Sequence, residues 1–422
     1  MPAGFHKLIV MRKNVQKRGN MSDRKYIVVL GDGMADEPIG QLGGKTPLAY
    51  ADTPALDRLS KLSEIGMVHT IPEGMKPGSD TANLSVLGYD PKIYYSGRSP
   101  LEALSIGVPM KDTDVALRCN IVTISENEAA FEEQTIIDHS SGEISTEDCA
   151  VLLEAVRKEL ENETYQFYVG TSYRHCLIWN QGKVLELSQP HDVLGQVIGQ
   201  YLPEEPSLLY MMKRSYEILV NHPINKERKR KGLNPANCCW FWGAGTKPML
   251  SSFEEKTGLK GMMVSAVDLL KGIAVGAGMG VAKVEGANGS LHTNYEGKVQ
   301  AAVSALYNGY DFVYIHVEAP DEMGHQGSVE KKVQAITYLD QRVIGPLTQI
   351  LDQDKISYRL LVMPDHPTPI RVRTHTSDSV PYLLYDSSSP KKESWNYNEM
   401  EASESGNFVP LGHTIIDRLL GK

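Results

Sequence analysis

The sequence predicts an α/β protein with a central, mostly parallel sheet flanked by helices and a smaller α+β domain inserted into it. Three observations carry that prediction. Apolar runs at Lys25–Leu30, Asp311–Val317 and Tyr358–Met363 read as buried strands. Each runs directly into an acidic residue: Asp32, Asp321 by way of Glu318-Ala319-Pro320, and Asp365. Helical patterns at Thr53–Ile65, Ser265–Gly276 and Glu330–Leu351 alternate with the strands, as a parallel sheet requires. In such sheets ligands bind beyond the carboxyl ends of the strands, which is where these acids fall.

In chain order, residues 1–21 are basic (Lys7, Arg12, Lys13, Lys17, Arg18), with an apolar patch at Leu8–Met11 too short for a signal peptide. They read as a disordered extension, or as sequence upstream of a start at Met21. The Lys25–Leu30 strand delivers Gly31-Asp32-Gly33, and Pro77-Gly78-Ser79-Asp80 precedes a helical Asp80–Leu87. The middle changes character: Val115–Thr123, Glu128–Ile136 and Gln166–Trp179 read as strands, Thr146–Leu160 and Leu194–Leu202 as helices, so 112–225 is expected to be the inserted domain, with 22–111 and 226–422 forming the core. The basic run Lys226–Lys231 marks its exit and reads equally as a solvated helix face. Gly272–Gly280 is glycine-rich but follows no clear strand and has no downstream ribose-binding acid. It therefore reads as a helix ending in a turn rather than a nucleotide loop.

Composition narrows the function. At 422 residues, a formal net charge of −9 argues against a general nucleic-acid binder, since phosphate-backbone affinity needs clustered Lys and Arg. Apolar runs of membrane-spanning length are absent from the sequence, so a membrane partner is not expected. Cys119, Cys149, Cys176, Cys238 and Cys239 are odd in number and lack C-x-x-C spacing, which fits a reducing cytoplasm better than a disulfide framework.

The chemistry-bearing residues are Asp32, Ser79, Asp321, His325, Asp365, His366 and His375. Mixed carboxylate and imidazole donors suit Mn²⁺ first and Zn²⁺ second, with Mg²⁺ a further option. Asp321 and His325, four residues apart, can share an ion across a turn; alone, this pair or Asp365-His366 is more often structural. Their convergence at one rim of one sheet, with Asp32 and His375, is what favours a pair of divalent ions able to clamp a phosphoryl group in flight. Ser79 at a helix start can meet a phosphate there. Read alone, it fits an N-cap better.

These residues resemble a known family, the archaeal-type cofactor-independent phosphoglycerate mutases of the alkaline phosphatase superfamily. The likeness covers nearly everything after Met21. It rests on Gly31-Asp32-Gly33-Met34-Ala35-Asp36, on Pro77-Gly78-Ser79-Asp80 through Leu87-Gly88-Tyr89-Asp90, on Gly97-Arg98-Ser99-Pro100-Leu101-Glu102-Ala103, and on the three later ligand motifs. The resemblance implies an alkaline-phosphatase-like core and one metal on Asp321, His325 and His375. It implies a second on Asp32, Asp365, His366 and the Ser79 oxygen. It further implies a phosphoserine at Ser79 while 3-phosphoglycerate becomes 2-phosphoglycerate without 2,3-bisphosphoglycerate.

The partner is then a small phosphorylated molecule, with the inserted domain as a lid; the oligomeric state is left open. Arg98, Arg118, Arg174 and Arg228 are candidate substrate forks, each equally suited to an ordinary ion pair. His175 and Lys247 are weaker candidates, and Glu102 is expected to orient Arg98. His316 and Glu318 sit where they can orient ligands. Rival readings with the same motifs are a homoserine-kinase-like phosphotransferase, a metal-dependent phosphatase, and a binding protein that has lost turnover.

Overall fold

A computed structural model describes residues 24–126 and 130–422. The expected extension over 1–21 lies outside the described residues. The chain forms two compact units, one from the flanking segments (to Tyr95 and from Met249) and one from Ser96–Pro248.

The first unit is built on an eight-stranded mixed sheet. Its order is Phe408–Val409, Ser63–Val68, Val380–Asp386, Ser357–Met363, Arg24–Gly31, Phe312–Val317, Gly261–Val264, Gly280–Val281. Arg24–Gly31 lies between two later strands and is parallel to both, with Gly31 opposite Val317 and Leu30 opposite Met363. The strand order therefore reverses at the first strand, and the three carboxyl ends that converge there carry the predicted acids. Ile27–Leu30, Phe312–Val317 and Leu360–Met363 are fully buried, the near-continuous apolar reading of strands covered on both faces.

Two expected helices end differently. The predicted Thr53–Ile65 helix stops at Ser60, because Ser63–Val68 pairs antiparallel with Val380–Asp386 and becomes a strand. The predicted Glu330–Leu351 helix is Val329–Leu339, a wider turn at Asp340–Ile344, and Gly345–Gln353. The wide turn, with Gly345 N–H bonded to Asp340 O, precedes Pro346, which has no N–H to continue the regular ladder.

The second unit is an antiparallel sheet in which Val115–Ile124 pairs with Ile136–Asp138, Arg174–Trp179 and Cys238–Thr246. Thr146–Leu160 and Pro206–Leu219 supply helices that share its apolar core. This unit is wider than the predicted 112–225. Cys238–Thr246 is one of its strands, and the Arg98–Ser105 helix joins it at the other end. Of the expected Glu128–Ile136 strand, Phe131–Glu133 is a single 3₁₀ turn, and the expected Leu194–Leu202 helix is reduced to a turn at Ile198–Tyr201. Among the described residues no helix is long and apolar enough to cross a membrane.

Candidate active site

Asp32 follows the first strand directly, its N–H still bonded to Val317 O. Glu318 opens the short Ala319–His325 helix, which places Asp321 and His325 one turn apart. Asp365 and His366 follow Ser357–Met363, and Asp365 is held rigidly: Gly33 N and His366 N donate to Oδ1, Asn83 Nδ2 to Oδ2, and Thr70 Oγ1 to its carbonyl. Three strand ends and the turns after them thus bring residues up to 343 positions apart in sequence into two groups of donors, Asp32 with Asp365 and His366, and Asp321 with His366 and His375.

His325 joins the second group. Its Nε2 is 3.2 Å from Asp321 Oδ2 and 3.0 Å from His375 Nε2, while its Nδ1 donates to the Arg373 carbonyl at 2.9 Å. Its bond to Asp321 raises the His325 imidazole to about 9, and the Nδ1 proton held on the Arg373 carbonyl would leave Nε2 as the lone pair for an ion that displaces the other proton. His366 Nε2 lies 3.5 Å from both Asp32 Oδ1 and Asp365 Oδ2. Burial holds His366 below the usual histidine range despite the opposing charge of Asp365, which also keeps it in the neutral, ligating form.

Divalent ions fit these groups. Asp32 Oδ1 is buried and accepts no hydrogen bond from any described residue. Burial, then the neighbouring charges of Asp365 and Asp321, push the Asp32 carboxyl well above the usual carboxylate range. Three carboxylates and three imidazoles converging in one place are the donor set of a cation site. Behind Asp32, His316 Nε2 stands 3.0 Å from Oδ2, His316 Nδ1 is 3.2 Å from Glu318 Oε1, and the fully buried Lys298 Nζ bonds Glu318 Oε2 at 2.9 Å. Burial opposes a charged His316, but its bonds to Asp32 and Glu318 outweigh it and raise the imidazole to about 10.

Ser79 is the first residue of the Ser79–Val86 helix, and the N-cap is Gly78, with no side-chain cap bond. The capping role that Ser79 invites when read alone is therefore not the one it plays. Its Oγ instead lies 3.1 Å from His366 Nε2, at the helix end whose N–H groups attract anions.

The match to a family model described as 2,3-bisphosphoglycerate-independent phosphoglycerate mutase spans residues 60–225. A Methanosarcina barkeri protein with that same description is 46% identical over 389 residues, 91% of this chain and 96% of its own length. The chain belongs to this family. Among solved structures, a Pyrococcus horikoshii protein superposes with a TM-score of 0.79 at 29% identity, covering 95% of this chain and 98% of its own. The cofactor-independent phosphoglycerate mutase of Thermoplasma acidophilum superposes with a TM-score of 0.64 at 26% identity, covering 94% and 99%. The fold is the alkaline-phosphatase-like α/β core of this mutase family.

The remaining sequence candidates belong to the second unit. Glu102 takes Arg118 in a two-point fork and Arg98 Nε at 2.9 Å, so the expected orienting role extends to both arginines. Burial opposes its ionisation, yet Arg118 and Arg98 hold Glu102 below the usual range. Arg118 stacks over Trp242 at 4.5 Å, and His191 meets the same ring edge-on. Arg174 is exposed over Tyr173, and Lys247 pairs with Asp112 at the surface.

His175 and Arg228 depart from expectation. His175 is 4% exposed, accepts from Gly170 N at Nδ1, and has Nε2 3.1 Å from Cys149 Sγ. Arg228 is turned inward and donates to the Asn234 and Ser141 carbonyls, although its neighbours in the basic run form the anticipated solvated face. Both are interior structural groups, because their polar atoms are already engaged within the unit.

Sequence reading missed Asn83, which bonds Ser79 O at 2.8 Å and Asp365 Oδ2 at 2.9 Å and so ties the Ser79 helix to a candidate ligand. Its spacing of four from Ser79 on one helix face was the available signal. His139 and His191, ring neighbours beside Arg118, carried no comparable signal.

Proposed function

We propose that this chain interconverts 3-phosphoglycerate and 2-phosphoglycerate through a phosphoserine at Ser79, without 2,3-bisphosphoglycerate. The observation that carries the reading is the position of Ser79 Oγ, at a helix N-terminus and against the Asp32–Asp365–His366 donors. Asp321, His325 and His375 would hold one divalent ion, and Asp32, Asp365, His366 and Ser79 Oγ the other, with manganese the expected metal. When bound, such ions lower the pKa of a coordinated hydroxyl and offset charge on phosphoryl oxygens.

The chain's own residues do the rest. Ser79 Oγ forms a bond to phosphorus as the bond to the C3 oxygen of glycerate breaks, and the proton Ser79 gives up is regained by that oxygen. The helix N–H groups receive the phosphoryl oxygens. In the return step the C2 hydroxyl attacks the phosphoserine, its proton restores Ser79, and 2-phosphoglycerate forms. Asn83 fixes the start of the helix so that Oγ keeps its line of attack.

In a protein of net charge −9, the second unit holds Arg98 and Arg118 together on Glu102, two guanidinium groups suited to carboxylate and phosphate. Retained glycerate is what separates a mutase from a phosphatase, since water reaching the phosphoserine would release phosphate instead.

The test is Mn²⁺-loaded protein with 3-phosphoglycerate and no 2,3-bisphosphoglycerate, following 2-phosphoglycerate. Ser79→Ala is expected to lose at least about a thousandfold in kcat while keeping its fold, in line with removal of a covalent nucleophile. Wild-type-like turnover in that variant would remove Ser79 from the reaction. Phosphate release without isomerisation would replace the mutase by a phosphatase.

A further inference from the structure

We infer that Thr368 is a positioning residue that couples the two candidate metal positions. The inference rests on the two-ion reading above. Thr368 is fully buried, and its Oγ1 lies 2.5 Å from Asp321 Oδ1 and 3.3 Å from His366 Nδ1. An ionised Asp321 has no proton to give, so the hydroxyl donates to it. The remaining lone pairs of Oγ1 then face His366 Nδ1, which must carry the ring proton. His366 Nε2 is left as a lone pair turned toward Asp32, Asp365 and Ser79. One hydroxyl thus joins a ligand of one ion to a ligand of the other.

The hydroxyl is itself held. Buried Lys332 donates to the Thr368 carbonyl at 2.8 Å, to Asp36 Oδ2 at 2.8 Å and to the Ala35 carbonyl at 3.2 Å, and Thr368 N–H reaches Ala35 O. Gly33, at φ +59°, leaves the space the pair needs: a Cβ there would stand 2.5 Å from both Asp321 Oδ1 and Thr368 Oγ1. Ordering Asp321 by an ion therefore orders Thr368, and through it the ring of His366, so the two positions fill cooperatively.

The experiment is calorimetric titration of metal-free protein with Mn²⁺ for wild type, Thr368→Val and Thr368→Ser, with the thermal midpoint of each metal-free protein measured alongside. Wild type and Thr368→Ser are expected to bind two ions cooperatively. Thr368→Val, similar in shape but without the hydroxyl, is expected to bind about 10–100-fold more weakly and without cooperativity, a change in binding mode that a lowered metal-free midpoint by itself does not produce. If the valine variant does not fold, Thr368→Ala takes its place and is expected to differ from Thr368→Ser in the same way. A variant lacking the hydroxyl that binds two ions with wild-type affinity and cooperativity overturns the inference while leaving the two-ion reading intact. Failure of the wild type to bind a pair of ions overturns that reading, and the inference with it.

Discussion

His175 offers a measurement that separates a core histidine from a substrate contact. Burial alone lowers its imidazole from the ordinary 6.5 to about 4. The native ring is therefore neutral at pH 5, whereas the unfolded chain protonates it. A depressed folded pKa contributes stability that is fully present above pH 6.5 and is lost as pH falls toward 4. Between pH 7.5 and pH 5 the loss from this one group is about 2 kcal/mol, from the ratio of the two protonation polynomials. Asparagine at 175 can still accept the Gly170 N–H but cannot titrate, so His175→Asn should lose less stability over the same range by that amount, whatever the nearby carboxylates do. Three of the four tryptophans, Trp179, Trp240 and Trp242, lie in this unit, so urea unfolding followed by tryptophan fluorescence reports on it. The Michaelis constant for 3-phosphoglycerate should stay within about twofold of wild type, since no substrate contact is removed. Equal pH sensitivity in the two proteins, or a large rise in that constant, would refute the core assignment.

His325→Ala should reduce bound metal from two ions to one per chain, measured by elemental analysis after gel filtration, with its partners His375 and Asp321 left in place. Asp340 accepts the N–H groups of Ala55 and Leu56 at the start of the Pro54–Ser60 helix, and burial raises it to about 6. A raised folded pKa is stabilising below the unfolded value and becomes a cost as pH rises through 6. Relative to Asp340→Asn, wild type should therefore lose about 2 kcal/mol between pH 4.5 and pH 7, read from denaturant midpoints.

The core strands were legible because their physics is local. Each is a short apolar run that must be buried on both faces, and each ends abruptly in an acid that burial would penalise without a partner. The donor set was legible for the same reason, since ligand chemistry belongs to residue types. Segments with mixed patterns misled: the helical reading ran on through Ser63–Ile65, which sheet pairing claims, and Leu194–Leu202 packs Ile198, Tyr201 and Leu202 on the core with only a 3₁₀ turn. His175 and Arg228 looked like anion contacts because a sequence shows a side chain's charge and not its burial.

By itself, then, the sequence determined the fold class, the strands that carry the acids, and the carboxylate and imidazole groups gathered at their ends, all of which depend on local pattern and on intrinsic chemistry. Only the tertiary structure decided that Ser79 stands beside His366 rather than capping its helix, which cationic residues of the second unit turn inward, and that Asn83, Lys298, Lys332 and Thr368 buttress the site. Those assignments depend on distances between residues tens to hundreds of positions apart. Such distances are set by strand order and register, which no short stretch of chain encodes.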